Sequence, residues 1–416
     1  MKRFEISAMT LGPYGLGHLD GKIVMTPNVA PGDLVEAAIT DDRRDYALAG
    51  APRVIHPGPD RREPPCIYLP RCGGCDWQQI IYAAQIRLKA ELLAAEFRRA
   101  FAIDLDPREL VLPAPAEFAY RARVRLMVGR DGALGFHELQ SNHLVPVERC
   151  LVAAAELEAA AVLTRVLAPR CTEIEIVAGD AGQVLIVHLS QPPAGSALAA
   201  VRAIFASDRA VAGVILRSKA RRDLAGEVTV TLTPQPGCEI RAAADCFSQV
   251  NHAQNQRLVA AVMELGQITE ATSVLDLFCG AGNFSLPAAR RGATVTGVDA
   301  DANAIAAARD NAARMNLRRT QFIAMPARET ARFLERARYR PELVILDPPR
   351  TGAAQLMETV ARLKAAQVLY VSCDPSTLLR DLGRLAAAGY RLGRVRAFDF
   401  FPQTHHLEAV AEMLLT

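Results

Sequence analysis

The chain has 416 residues, half of them hydrophobic, and a formal net charge of +3, so two or three domains with sizeable cores are expected and charge alone does not announce a nucleic-acid partner. No run reaches the ~18 uncharged apolar residues of a membrane span, and the opening MKRFEISAMT lacks the apolar core of an export signal, so a cytoplasmic protein with no membrane partner is expected. Nine cysteines, an odd number unevenly spread, suit metal ligation or catalysis better than a disulfide framework.

Residues 1–58 read as a small all-β unit. Short alternating runs (Phe4 to Ile6, Ile23 to Met25, Leu34 to Ala37) are separated by turns at Gly12-Pro13, Gly15, Gly17 and Pro31-Gly32, and a five-stranded barrel would fit. His56 to Pro65 is a linker by composition. Residues 59–240 follow as a mixed α+β region, opening with Cys66, Cys72 and Cys75 in the pattern C-x5-C-G-G-C; Cys150 comes 74 residues later. Four thiolates can hold a [4Fe–4S] cluster or a tetrahedral Zn, and the single distant fourth cysteine tilts the reading toward Fe–S. Cys171, Cys238, Cys246 and Cys279 have no such spacing and read as core. An amphipathic helix is predicted over 78–101. In YRARVRL, Arg121, Arg123 and Arg125 alternate with Ala122, Val124 and Leu126, giving one basic and one apolar strand face; Arg217, Lys219, Arg221 and Arg222 form a second basic cluster. Either cluster fits a solvated face or an RNA contact. Arginine supplies 43 of the 48 basic residues, which suits phosphate and equally fits a codon bias.

From about 241 to 416 the pattern becomes regular β-α-β, with strands predicted over 274–278, 294–298, 321–324, 343–346, 368–371, 392–398 and 409–415. The alternation predicts a doubly wound, largely parallel sheet of the α/β class. VLDLFCGAGNF carries Asp276 before a tight turn at Gly280 and Gly282, and GVDA ends the next strand with Asp299, a carboxylate that can accept from ribose hydroxyls. The G-A-G-N-F fingerprint, an Asp four residues before the first Gly, and an acidic strand end only 17 residues after the second favour S-adenosyl-L-methionine (SAM) over a dinucleotide. Asp347 ends another strand at the edge where such folds bind ligands. Cys373 follows the run Val368 to Val371 on a strand-to-helix turn, a setting that lowers a thiol's pKa and suits a nucleophile; taken alone it equally reads as a small buried residue.

The ordered set FSQVN (247–251), LDLFCGAGNF (275–284), LDPPR (346–350), SCDPSTLLRD (372–381) and HLEAV (406–410) resembles the RNA uracil-5-methyltransferase family. That resemblance implies a Rossmann-like class I SAM methyltransferase domain, preceded by an OB-like β-barrel of the TRAM type that binds RNA and by an α+β Fe–S domain. It implies that Cys373 is the nucleophile adding to C6 of uracil and Glu408 the general base removing the C5 proton. Gln249, Phe278, Asn283, Asp299 and Asp347 would surround SAM or the target base, and Cys66, Cys72, Cys75 and Cys150 would hold a [4Fe–4S] cluster. Barrel and cysteines together point to the subgroup that methylates 23S ribosomal RNA, acting as a monomer, with another ribosomal site or transfer RNA as alternatives. Trp77, Tyr14 and Phe247 could stack on bases, though aromatic residues commonly serve as core. Two readings of other classes remain: a non-catalytic RNA-binding Fe–S protein, and a small-molecule methyltransferase.

Overall fold

In a computed structural model, the protein is described at residues 1–416 except 169, 180, 181, 193, 194, 196–198, 200, 205–209, 337 and 338. The N-terminal unit has seven strands, not the five expected: β1 (Lys2–Met9), β2 (Tyr14–Leu19), β3 (Lys22–Pro27), β4 (Leu34–Ala37), β5 (Ile39–Asp42), β6 (Tyr46–Ala49) and β7 (Arg53–His56), in the order β5-β6-β3-β2-β1-β4-β7. Gly15 and Gly17, read from the sequence as turns, lie inside β2, and the four-residue strands β5 and β7 fall where the sequence shows no marked strand run. Phe4, Ile6, Val24, Val35, Ala37, Ala47 and Ala49 share one core, so the sheet curls upon itself. The stretch after β7 is pinned rather than loose. Buried Asp33 accepts from Gly58 N at 2.8 Å and from Arg61 Nη1 at 2.5 Å.

The helix Tyr82–Phe101 starts four residues later than predicted. Its apolar stripe, Ala90, Leu93, Ala94 and Phe97, joins the core of the C-terminal sheet. A two-residue strand, β8 (Val111–Leu112), pairs in parallel with that sheet's edge. Residues 82–112, assigned by sequence to the middle region, are therefore built into the C-terminal unit.

The middle sheet has the order β11-β10-β9-β12-β13-β14-β15, where β9 is Arg123–Val128, β10 Leu134–His137, β11 Leu144–Pro146, β12 Cys171–Gly179, β13 Gly182–Leu189, β14 Val211–Arg217 and β15 Arg222–Gly226. Its basic face is neutralised internally. Arg123 meets Glu175 at 2.9 Å and Arg125 meets Glu173 at 2.7 Å, with His188 against both carboxylates. In the second basic cluster, Arg221 pairs with Asp223 and Arg222 with Asp245. A hairpin of β16 (Thr229–Gln235) and β17 (Cys238–Ala243) spans the boundary at 240. It docks on the C-terminal unit through a two-way bond between the Arg241 backbone and the Asn311 amide, 3.0 and 2.9 Å.

The C-terminal sheet has the order β20-β19-β18-β21-β22-β24-β23-β8. Its strands are β18 (Ser273–Leu277), β19 (Thr294–Asp299), β20 (Thr320–Ala324), β21 (Leu343–Leu346), β22 (Gln367–Ser372), β23 (Tyr390–Phe398) and β24 (Glu408–Leu415), within about two residues of the predicted runs. β18 to β22 run parallel; β24 is antiparallel to both neighbours. The strands read as continuous apolar runs because helices cover both faces. Strand order reverses between β18 and β21, which opens a crevice at the carboxyl edge. Among the described residues no helix is long and apolar enough to cross a membrane.

One ion pair is wholly inside. Lys89 Nζ lies 2.7 Å from Asp399 Oδ1, both side chains 0 % exposed, and it joins the helix Tyr82–Phe101 to the segment after β23. Removing one partner of such a pair strands the other charge. Lys89→Met is expected to lower stability by about 3–5 kcal/mol in chemical denaturation, and Lys89→Met/Asp399→Asn to recover much of that loss.

Candidate active site

At the carboxyl edge, β18 runs into a turn that only particular residues can make. Phe278, Gly280 and Gly282 all have positive φ, +65°, +52° and +102°. A Cβ on Gly282 would stand 2.7 Å from Leu286 Cγ, so that glycine is required twice over. Asp299, ending β19, braces the turn: Oδ2 accepts from Gly280 N at 2.9 Å and Oδ1 from Asp301 N at 2.8 Å. Beneath it Asp276 is fully buried. Its Oδ2 accepts from Ser285 Oγ at 2.5 Å, while Oδ1 has no partner among the described residues. Burial pushes the Asp276 carboxyl up to about 7 against the Ser285 bond, with Asp347 and Asp299 adding to the rise. The Asn283 amide makes a reciprocal pair with Asn255, 2.8 and 3.0 Å, so it tethers the turn to the helix His252–Leu265.

Asp347 follows β21 and accepts from Gln249 Nε2 at 3.3 Å. Burial, with Asp299 nearby, pushes its carboxyl up to about 7 against that bond. Cys373 follows β22. Asp374 caps the next helix, Pro375–Ala387, by accepting from Thr377 N at 3.0 Å, and Pro375 occupies its first turn. β22 and β24 pair antiparallel with Ser372 opposite Ala409; Cys373 follows the last residue of β22 and Glu408 opens β24, so both stand at the same end of that ladder. Residues 35 apart in sequence thus meet at one strand end. The expected lowering of the thiol's pKa does not occur. Burial, then the charges of Glu408 and Asp347, push Cys373 up to about 11, and Arg350, within hydrogen-bonding reach of the thiol, pulls the other way. Glu408 is buried, and burial with Asp347 beside it raises its carboxyl well above the ordinary range, opposed by Arg350. Asp347, Arg350, Cys373 and Glu408 therefore form one interacting group.

Cys66, Cys72, Cys75 and Cys150 line a single cavity of ≈ 270 Å³ together with Arg121, Arg125, Arg149, Arg350 and His406. Gly73 is needed for the loop to approach β10: a Cβ there would sit 2.9 Å from His137 O. Burial pushes the Cys72 and Cys150 thiols up, opposed by the backbone N–H groups of Gly74 at Cys72 and of Val152 and Ala153 at Cys150. Cys171, Cys238, Cys246 and Cys279 are buried elsewhere. Of the candidate stacking aromatics, Trp77 is wholly buried and Tyr14 half-buried; Phe247, two residues from Gln249, is 71 % exposed.

Two curated bacterial relatives match nearly end to end. A protein of Pectobacterium atrosepticum named 23S rRNA (uracil(1939)-C(5))-methyltransferase RlmD is 33% identical, covering 99% of this chain and 94% of its own length. Its namesake in Shewanella amazonensis is 33% identical over 95% of this chain and 92% of its own. The chain belongs to the family of S-adenosyl-L-methionine-dependent RNA (uracil-5-)-methyltransferases. The family model described as tRNA (Uracil-5-)-methyltransferase matches residues 235–415 of this methyltransferase, so it takes in β17 but only the last residue of β16. The fold is that of the Pyrococcus abyssi tRNA (uracil-54, C5)-methyltransferase solved with S-adenosyl-L-homocysteine: TM-score 0.77, 23% identity, 99% of this chain and 100% of that one. Three residues of the methyltransferase site escape a reading of the sequence. Arg350 ends the LDPPR run but carries no signal of its contact with the thiol. Asn255 owes its place to Asn283, 28 residues away, and Asp76 binds the backbone N of His405, 329 residues away, which no local pattern encodes.

Proposed function

We propose that this methyltransferase acts on C5 of a uridine in 23S ribosomal RNA, the substrate named for its curated relatives, by way of a covalent adduct between Cys373 and C6. The observation that carries the reading is the β22–β24 register, which brings a thiol and a buried carboxyl to the same strand end at the ligand-bearing edge, close enough that Glu408 raises the thiol's pKa. C5 of uracil is a poor nucleophile. Sulfur addition at C6 moves the C5=C6 π pair toward O4 and makes C5 electron-rich. SAM supplies the electrophilic methyl group. Glu408 then takes the C5 proton, the double bond re-forms and the sulfur leaves. Gln249, Phe278, Asn283, Asp299 and Asp347 would hold SAM and the base. The orphaned Asp276 Oδ1 and the glycine turn fit that assignment, with Asn283 bracing the turn through Asn255.

The decisive experiment mixes the protein, SAM and a 23S fragment carrying 5-fluorouridine. Fluorine at C5 cannot be taken off by a base, so a methylated protein–RNA adduct that survives denaturation is expected to accumulate. Its absence, with the unsubstituted fragment a working substrate, would overturn the covalent reading.

Cofactor binding should depend on pH. Asp276 and Asp347 sit up at about 7, and a sulfonium cation favours their ionised forms. Binding SAM then releases protons, so affinity rises with pH up to about 7 and flattens above. Below that point it falls by up to ~10-fold per pH unit for each group. Calorimetry at pH 6 and 8 checks this; the uncharged sulfur of S-adenosyl-L-homocysteine should give a smaller difference.

The reading extends to a [4Fe–4S] cluster on Cys66, Cys72, Cys75 and Cys150. Arg121 and Arg149 on the cavity wall would offset the negative charge left on a cluster held by four thiolates. Methyl transfer needs no electron, so the cluster's part is structural.

A further inference from the structure

The nine residues between β23 and β24 lead straight into Glu408, and they are held from outside their own sheet. Gln403, wholly buried, has φ +72° without being glycine, a conformation that persists only where neighbours over-determine it. Its Oε1 accepts from Arg62 Nη2 at 2.7 Å and Gln85 Nε2 at 3.0 Å, and its backbone N donates to Gln85 Oε1 at 2.9 Å. Its carbonyl accepts from the N–H groups of Asp76 and Trp77, at 3.2 and 3.0 Å. Two residues on, the Asp76 carboxylate grips His405 at two points. Oδ1 accepts from the His405 backbone N at 2.9 Å, and Oδ2 lies 2.5 Å from Nδ1. The His405 ring lies 3.9 Å, centroid to centroid, from that of His406, which lines the cysteine cavity. Asp76 is the neighbour of Cys75, so one loop presents a cavity thiol on one side and clamps the approach to Glu408 on the other.

We propose that Asp76 is a positioning residue for the proton-removal step: by fixing residues 403–405 it holds Glu408 in register with Cys373. The inference rests on Glu408 acting as base on a Cys373 adduct. In that step the C5–H bond breaks and the proton passes to the Glu408 carboxylate. The freed pair restores C5=C6, and the S–C6 bond breaks to return the sulfur. Cys373 and its turn are held by β22 and Asp374, not by Asp76. Loosening the clamp should therefore leave adduct formation alone and slow release, since a displacement near 1 Å costs on the order of 100-fold.

The test is a single turnover with SAM and an unmodified 23S fragment, quenched in denaturant and resolved for protein–RNA adduct. Asp76→Ala is expected to form adduct within about twofold of the wild-type rate and to release it roughly 10- to 100-fold more slowly, so that methylated adduct builds up. Asp76→Asn, which keeps an oxygen for the His405 N–H and a polar partner for its ring, should restore release. His405→Ala approaches the clamp from the other side and must trap the same species if Asp76→Ala does not fold. The inference is overturned if Glu408→Gln traps adduct and neither clamp variant does, or if the clamp variants lose formation and release in equal measure. Failure of both Glu408→Gln on normal RNA and the wild type on 5-fluorouridine RNA to give any adduct would remove the covalent reading itself, and the inference with it.

Discussion

Cys373→Ala is expected to abolish product, by at least about 10⁴-fold, to yield no adduct with 5-fluorouridine RNA, and to bind the RNA as well as the wild type does. Methylation and adduct formation are read from the same reaction by radiolabel and by denaturing gel, and RNA retention separately. Measurable turnover by the alanine variant would sink the assignment, because Cys373 is the thiol whose charge meets those of Glu408 and Asp347. Serine should not rescue. An alcohol ionises far less readily than a thiol, and this position is already unfavourable to an anion: burial and the two nearby carboxyls push the thiol itself up to about 11. At neutral pH only a minor fraction is thiolate, so the wild-type rate of adduct formation should climb with pH across the range 7 to 9. Arg350 opposes the rise, and it is the one cation in that group. Its place at the end of LDPPR, after the stiff Pro348-Pro349 turn, keeps the guanidinium at the thiol.

Much of the C-terminal unit is legible from sequence because its strands are buried on both faces and read as unbroken apolar runs, such as Leu343–Leu346. The glycine turn is legible because Gly280 and Gly282 are needed for their positive φ. Three of the four cavity cysteines are legible as one loop in C-x5-C-G-G-C; Cys150 reaches the same cavity only through the fold. What escapes depends on distant partners. The barrel's extra strands, Ile39–Asp42 and Arg53–His56, are four residues long and rich in charge, so pairing rather than propensity makes them strands. The helix Tyr82–Phe101 shows its apolar stripe in the sequence, but not that the stripe is filled by Val111 and the core of a sheet that begins 170 residues later. The rise in the Cys373 pKa is invisible for the same reason. A strand-to-helix turn argues for a lowered value, and it is reversed first by burial in the folded site and then by carboxyls that arrive from two other strands.

Glu408→Gln should separate the two halves of the chemistry that Cys373→Ala removes together. Glutamine keeps the shape and can still accept a hydrogen bond, but it cannot take a proton. The sulfur can add and the methyl can transfer; the C5 proton then has no acceptor. With unmodified RNA a methylated adduct is therefore expected to persist, and steady-state turnover to fall by about 10²–10⁴-fold, with the first turnover of methyl transfer preserved. Burial explains why the carboxyl is suited to this. Its position at the start of β24, shielded from water with Asp347 alongside, raises its proton affinity well above that of an ordinary carboxylate. A base of raised pKa, once ionised, pulls harder on a weakly acidic C–H. Glu408→Asp keeps the charge but withdraws it by one methylene, so it should trap adduct transiently and release it slowly. If turnover by Glu408→Gln matched the wild type, the proton would have to leave through some other group, and Asp347, the remaining carboxyl of the cluster, would be the next to replace.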